Sequence, residues 1–297
     1  MSSMAMKIAA AILRVKGKKG KHSRETYQAR YEGRDYPSPA KLPESLKKLC
    51  HIEQSTVDGA SVYTFTPRQN ASKLHIIYTH GGSYVEAITH HHWNLVHALI
   101  MATQATVTVP LYPLAPEHNY HNAYALLEKI YRTITAEIPS SQVILSGDSA
   151  GGGLALGTAL YYRDQGLPMP GRIILFAPWL DLTMSNPGAA AVEKKDVMLA
   201  LPGLIQAGEW WSGGDDPRLP KLSPIFADLK NLPPIDLFQG THDVFIADAR
   251  EFERKVKSSG GTIHLHEYPG AFHVFVAVTF TPEAKDAYAK IAKTVLI

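Results

Sequence analysis

From about residue 60 onward, short apolar runs alternate with longer segments whose apolar residues recur at helical spacing. "SVYTFTP" (61–67), "LHIIYTH" (74–80), "ATVTVPLY" (105–112), "QVILSG" (142–147), "RIILFAP" (172–178), "IDLFQG" (235–240) and "TIHLHEYP" (262–269) predict strands. "HHWNLVHALIMAT" (91–103), "NAYALLEKIYRTITAEI" (122–138), "AGGGLALGTALYYRDQG" (150–166), "DAREFERKVKSSGG" (248–261) and "PEAKDAYAKIAKTVL" (282–296) predict helices. Pro139 stops the second of these and Gly166 closes the third. Apolar strands alternating with helices predict an α/β fold with a mostly parallel central sheet covered on both faces.

Two stretches break the alternation, residues 1–50 and about 181–222. The second is helix-prone and contains Trp210 and Trp211. Together they are expected to form a helical cap over the carboxyl edge of the sheet, with the whole chain, 1–297, as a single domain. The length of 297 residues and 45% hydrophobic content suit such a domain. The net charge of +3 is concentrated in "RVKGKKGKHSR" (14–24). No aromatic residues interleave with these lysines and the neighbouring apolar run is short, so the segment reads as a solvated face. Neither nucleic-acid binding nor stable membrane insertion is expected. Arg14 limits the opening apolar run to Ile8–Leu13, which predicts a helix start, not a signal peptide. The single cysteine, Cys50, excludes an intrachain disulfide and fits a cytoplasmic location.

The candidate chemistry centres on "VILSGDSAGGG" (143–153). A phosphate loop would need GK[ST] at its end, and a dinucleotide fingerprint would need glycine where Ser149 stands. What fits is G-x-S-x-G, Gly147 to Gly151, between a strand and a helix. A turn that sharp forces the serine into a strained backbone and lifts its hydroxyl clear of the sheet. Side chains at the flanking positions would collide there. The hydroxyl then sits at the positive end of a helix.

A serine nucleophile needs a base, an orienting acid and oxyanion donors. The strand at 74–79 leads into His80-Gly81-Gly82-Ser83, whose glycines let the backbone approach a substrate. Gly81, Gly82 and Ser83 are candidate donors with the N–H of Ala150. For the acid, Asp243 follows a strand directly, whereas Asp248 opens a helix, where capping explains it. Of His264, His266 and His273, the first two alternate within a strand, and His273 lies in the loop beyond Pro269-Gly270. The expected trio is therefore Ser149, Asp243 and His273. His90-His91-His92 cannot converge on one metal ion from consecutive helical positions, so a loop-to-helix entry is expected there. Tyr84, Trp210 and Trp211 are candidate substrate contacts, with packing of the cap an equal explanation for the two tryptophans. Asp148 and Glu117 are expected to form structural hydrogen bonds near the elbow.

"HGGS", "YPLAPEH" (112–118), "GDSAGG" (147–152), "APWLDL" (177–182), "GTHDVF" (240–245) and "GAFHVF" (270–275) occur in that order. In this the chain resembles the hormone-sensitive-lipase-like, microbial family IV esterases of the α/β-hydrolases. The resemblance runs from about residue 60 to the C-terminus. It implies an α/β-hydrolase fold and hydrolysis of short- to medium-chain carboxylic esters through Ser149, Asp243 and His273. It also implies a cap and no cofactor. The chain departs from the family pattern at Ser83, where a third glycine is usual, and at Tyr112-Pro113-Leu114. A shortened HGG-x motif also occurs in arylformamidase-like relatives, so amide or formamide hydrolysis is the alternative. A hydrolase-fold binding protein without catalysis is a third. The expected partner is a small-molecule ester, with homodimerisation left open.

Overall fold

The computed structural model describes residues 2–17, 19, 23–33 and 38–295. Eight strands form one sheet: β1 (Cys50–Val57), β2 (Ala60–Pro67), β3 (His75–Thr79), β4 (Thr106–Pro110), β5 (Val143–Asp148), β6 (Arg172–Phe176), β7 (Ile235–Gly240) and β8 (Ile263–Tyr268). Their spatial order is β1-β2-β4-β3-β5-β6-β7-β8. The β1/β2 and β2/β4 pairs are antiparallel and all the others parallel. The helices are α1 (Met4–Val15), α2 (Arg24–Glu32), α3 (Glu44–Leu49), α4 (His90–Thr103), α5 (Tyr120–Glu137), α6 (Ser149–Asp164), α7 (Pro187–Glu193), α8 (Leu201–Ser212), α9 (Ile246–Ser258) and α10 (Pro282–Val295).

The apolar runs of the central strands are buried on both faces. In β6, Ile173 and Leu175 join one core while Ile174 and Phe176 join the other. Strand side chains alternate between faces, so a run with no polar break feeds two cores at once. Leu126 and Leu127 of α5, Leu154 of α6 and Phe252 of α9 fill the first core. Leu95 and Leu99 of α4, with Ala287 and Ile291 of α10, fill the second.

The seven predicted strands and five predicted helices all form, within three residues at their ends. Strand β1 was not legible in the pattern. It is an edge strand with one fully buried residue, Cys50, and most of its side chains are exposed. It therefore lacks the apolar alternation that marks a half-buried strand. In the two interrupting stretches, α2 packs on α8, α1 on α10 and α7 on α9. Among the described residues no helix is long and apolar enough to cross a membrane.

The elbow shows why glycine stands on both sides of Ser149. Ser149 has φ +53°, a left-handed conformation that costs a non-glycine residue about 1–3 kcal/mol. A Cβ on Gly147 would lie 2.4 Å from the Gly151 carbonyl oxygen, and one on Gly151 would lie 2.1 Å from that of Thr79. The Thr79 hydroxyl donates to the Gly151 carbonyl at 2.7 Å, clamping α6 against β3. Gly151→Ala is thus expected to push α6 off β3. We expect a loss of about 3 kcal/mol in urea unfolding and a drop in kcat/KM of about 10²-fold from displacement of the serine.

Candidate active site

The loops after β3, β5, β7 and β8 converge at the carboxyl edge, where β3 and β5 lie side by side although β4 follows β3 in sequence. Such a reversal of strand order opens a crevice. Ser149 enters it from the elbow, Asp243 from the turn after β7 and His273 from the loop after β8. His273 Nε2 lies 2.9 Å from Ser149 Oγ, and its Nδ1 lies 2.8 Å from Asp243 Oδ2. The second Asp243 oxygen accepts the Phe245 N–H at 2.9 Å, which fixes the carboxyl plane. All three side chains are buried. Burial opposes the charged imidazolium, but Asp243, followed by Asp196 and Asp148, outweighs it. The pKa of His273 therefore lies above the ordinary histidine value.

Of two supports of this relay, Asp148 was expected as a hydrogen-bonding group near the elbow and Asp196 was not. Asp196 is buried beside Asp243. Its carboxyl group accepts the Met198 and Leu199 N–H groups at 2.7 and 2.9 Å and the Val244 N–H at 3.1 Å. Burial and the neighbouring Asp243 push its pKa up to about 6. It ties a wall of the pocket to the turn that presents the acid. Nothing in "EKKDVM" distinguishes it from a surface aspartate, because its partners are backbone groups remote in sequence.

Asp148 binds the oxyanion-loop candidate to the elbow. Its Oδ1 accepts from the Tyr78 hydroxyl and, at 2.9 Å, from the Gly81 N–H, and its Oδ2 lies 3.5 Å from His92 Nε2. Burial alone would raise its pKa, but His92 and these donors more than offset that and hold the carboxyl below its usual range. The Gly81 N–H is therefore engaged and unavailable to a substrate, which corrects its expected role as a donor. His92 caps α4 by accepting the Thr89 N–H at 2.9 Å, so the histidine triplet is a helix entry as expected. The Tyr112 hydroxyl donates to the His80 carbonyl at 2.7 Å. The two rings stack 4.5 Å apart. Burial drops the His80 pKa to about 3, so its ring is neutral. Glu117, expected near the elbow, is exposed.

Beyond Gly81 the loop turns sharply, with φ +113° at Gly82, +53° at Ser83 and +64° at Tyr84. Gly82 and Ser83 line a cavity of about 190 Å³ that Ser149 and His273 also face. Its apolar walls come from Leu13 of α1, Met198, Leu199, Phe272, Val274 and Val278. Tyr84, Trp210 and Trp211 are not among its lining residues. Tyr84 is sandwiched by Trp211, 4.3 Å away, and Trp179, 5.6 Å away, while Trp210 rests on Tyr31 of α2 at 5.6 Å. These rings join α8 to the sheet and to α2, which corrects their reading as substrate contacts.

Asp248, the rival acid, is buried on α9. It accepts a 2.8 Å hydrogen bond from Asn186 Nδ2, and its other oxygen has no partner among the described residues. Burial pushes its pKa up to about 7.

Parallel strands that deliver a serine, an acid and a histidine in this chain order are the layout of an α/β hydrolase. The chain belongs to that family: a model described as alpha/beta hydrolase fold matches residues 76–277. It is 34% identical to an esterase of Acinetobacter venetianus over 86% of this chain and 88% of the relative. It is 33% identical to an acetyl-hydrolase of Streptomyces hygroscopicus over 67% of each. Among solved structures, EstE5 superposes with a TM-score of 0.86 at 29% identity, covering 99% of this chain and 98% of that one.

Proposed function

We propose that the protein hydrolyses carboxylic esters through an acyl-enzyme on Ser149, with His273 as base and Asp243 as orienting acid. The observation that carries this reading is the unbroken relay from Ser149 Oγ to His273 Nε2 at 2.9 Å and from His273 Nδ1 to Asp243 Oδ2 at 2.8 Å. His273 takes the hydroxyl proton as Oγ attacks the ester carbonyl, then returns it to the leaving alcohol. The same imidazole activates the water that releases the acid. The N–H groups of Gly82, Ser83 and Ala150 are the donors we assign to the tetrahedral oxyanion. Losing one such donor typically costs about 2.7–4 kcal/mol of transition-state stabilisation. No cofactor takes part in these steps.

We assign residues 1–50 and 181–222 to a cap. Leu13, Met198 and Leu199, which line the cavity, come from these stretches and support that division. The cavity of about 190 Å³ is smaller than drug-sized ligand sites of about 300–1,000 Å³. It favours short acyl groups over long ones. Relatives named esterase and acetyl-hydrolase support the same reaction class.

The test is kcat/KM against pH for aryl acetate and butyrate esters and for an N-formyl aryl amide on one preparation. The base must be neutral, so activity rises as pH passes upward through the His273 pKa. Because that pKa is raised, the acid limb is expected above the ordinary value of about 6.5. Faster turnover of the formamide than of both esters would replace this reading with amide hydrolysis.

A further inference from the structure

Helix α1 is held at its start, where the Ser3 N–H and hydroxyl donate to the Glu283 carboxylate at 2.6 and 2.8 Å. Met6 and Ala9 face the protein and are buried. At about 3.6 residues per turn, Met4, Ile8, Ala11, Ile12 and Val15 fall on a separate arc of about 100°. That arc faces solvent: Met4 is 71% exposed, Ile8 54%, Ile12 50% and Val15 89%. Single exposed apolar residues are ordinary, but a row of them along one helix is a contact surface.

Charge identifies the contact. Lys7 and Arg14 run along one side of the arc and Lys16 beyond the other, all exposed. The first acidic residue of the chain is Glu25, so no carboxylate of this segment neutralises them. A second copy packed on this stripe would set these cations against their own kind. A surface of anionic phospholipid would neutralise them while taking up the apolar row. An apolar face flanked by lysine and arginine is the pattern of a helix lying in a lipid headgroup region. Position adds to this. Leu13 of the same helix lines the cavity, as does Val278, and two residues beyond Val278, Phe280 is 64% exposed.

We propose that α1 docks the protein on anionic phospholipid surfaces, lying flat with Met4, Ile8, Ile12 and Val15 among the acyl chains. Leu13 on the same helix places the docked surface beside the cavity. The consequence that ester substrates enter from that phase rests on the proposed function. The docking does not.

The test is sedimentation of the full chain with vesicles of equimolar phosphatidylglycerol and phosphatidylcholine, and with phosphatidylcholine alone. The wild-type chain is expected to sediment with the anionic vesicles and to stay in solution with the neutral ones. Ile8→Ser/Ile12→Ser is expected to bind the anionic vesicles about tenfold more weakly, and Lys7→Glu/Arg14→Glu to lose the preference for them. Hydrolysis of a soluble acetate ester is expected to be unchanged in both variants. Three results would overturn docking: wild-type chain left in solution with anionic vesicles, serine variants that sediment equally well, or a wild-type dimer that the serine variants convert to monomer. Sedimentation as expected in a chain that hydrolyses no ester would sustain the docking surface and defeat the enzymatic reading instead.

Discussion

Ser149→Ala is expected to lower kcat for a short aryl ester by about 10⁵–10⁶-fold, with folding intact. The substitution removes the hydroxyl that contacts His273 and that is assigned to carry the acyl chain. The residual rate comes from the oxyanion donors and the cavity, which the substitution leaves in place. Stability is expected to be preserved or slightly raised, because the lost contact is one hydrogen bond to His273 and alanine accepts φ +53° no worse than serine. Steady-state assay and thermal unfolding of the same preparation check this. A fluorophosphonate probe adds a covalent readout, labelling the wild-type chain at Ser149 and leaving the variant unlabelled. Near-wild-type turnover in the variant would remove Ser149 from the mechanism.

The second large effect separates the two candidate acids. Asp243→Asn is expected to lower kcat by about 10⁴-fold, because an amide at this position stabilises the wrong imidazole tautomer and cannot support the imidazolium. Asp248→Asn is expected to keep near-wild-type kcat. Its effect is on stability. A buried carboxyl with its folded pKa raised to about 7 contributes most at low pH, and that contribution is lost as pH rises from its ordinary value near 3.8 toward 7. Asparagine removes the buried charge, so Tm is expected to rise by a few degrees at pH 8 and by less at pH 5. Equal losses of activity in both variants would show that the assignment of the acid by loop position was mistaken.

The same pair shows how far reading the chain can reach. Asp243 and Asp248 are five residues apart, and both follow a strand. Strand-end position favoured Asp243, which lies 2.8 Å from His273. The elbow was equally readable, because Gly147 and Gly151 answer to contacts with Thr79 and with each other that any strand-turn-helix of this tightness creates. Asp196 was not readable, since its hydrogen bonds to residues 198, 199 and 244 leave no mark on residue choice nearby. The tryptophans were left between two readings for a related reason. Large rings beside a cap suggest a binding wall, and only their stacking partners Tyr84, Trp179 and Tyr31 reveal them as packing.

Periodicity and turn chemistry determined the sheet, its helices and the loops that carry Ser149, Asp243 and His273, because those features depend on neighbours within a few residues of each other. Tertiary structure decided what depends on distant segments meeting: that Asp148 takes the Gly81 N–H out of the oxyanion set, that Met198 and Leu199 are fastened to the acid turn, and that one apolar face of α1 is left facing water. Hydrogen bonds and burial across the fold are set by packing geometry, and no local pattern along the chain encodes which residue lies on the other side.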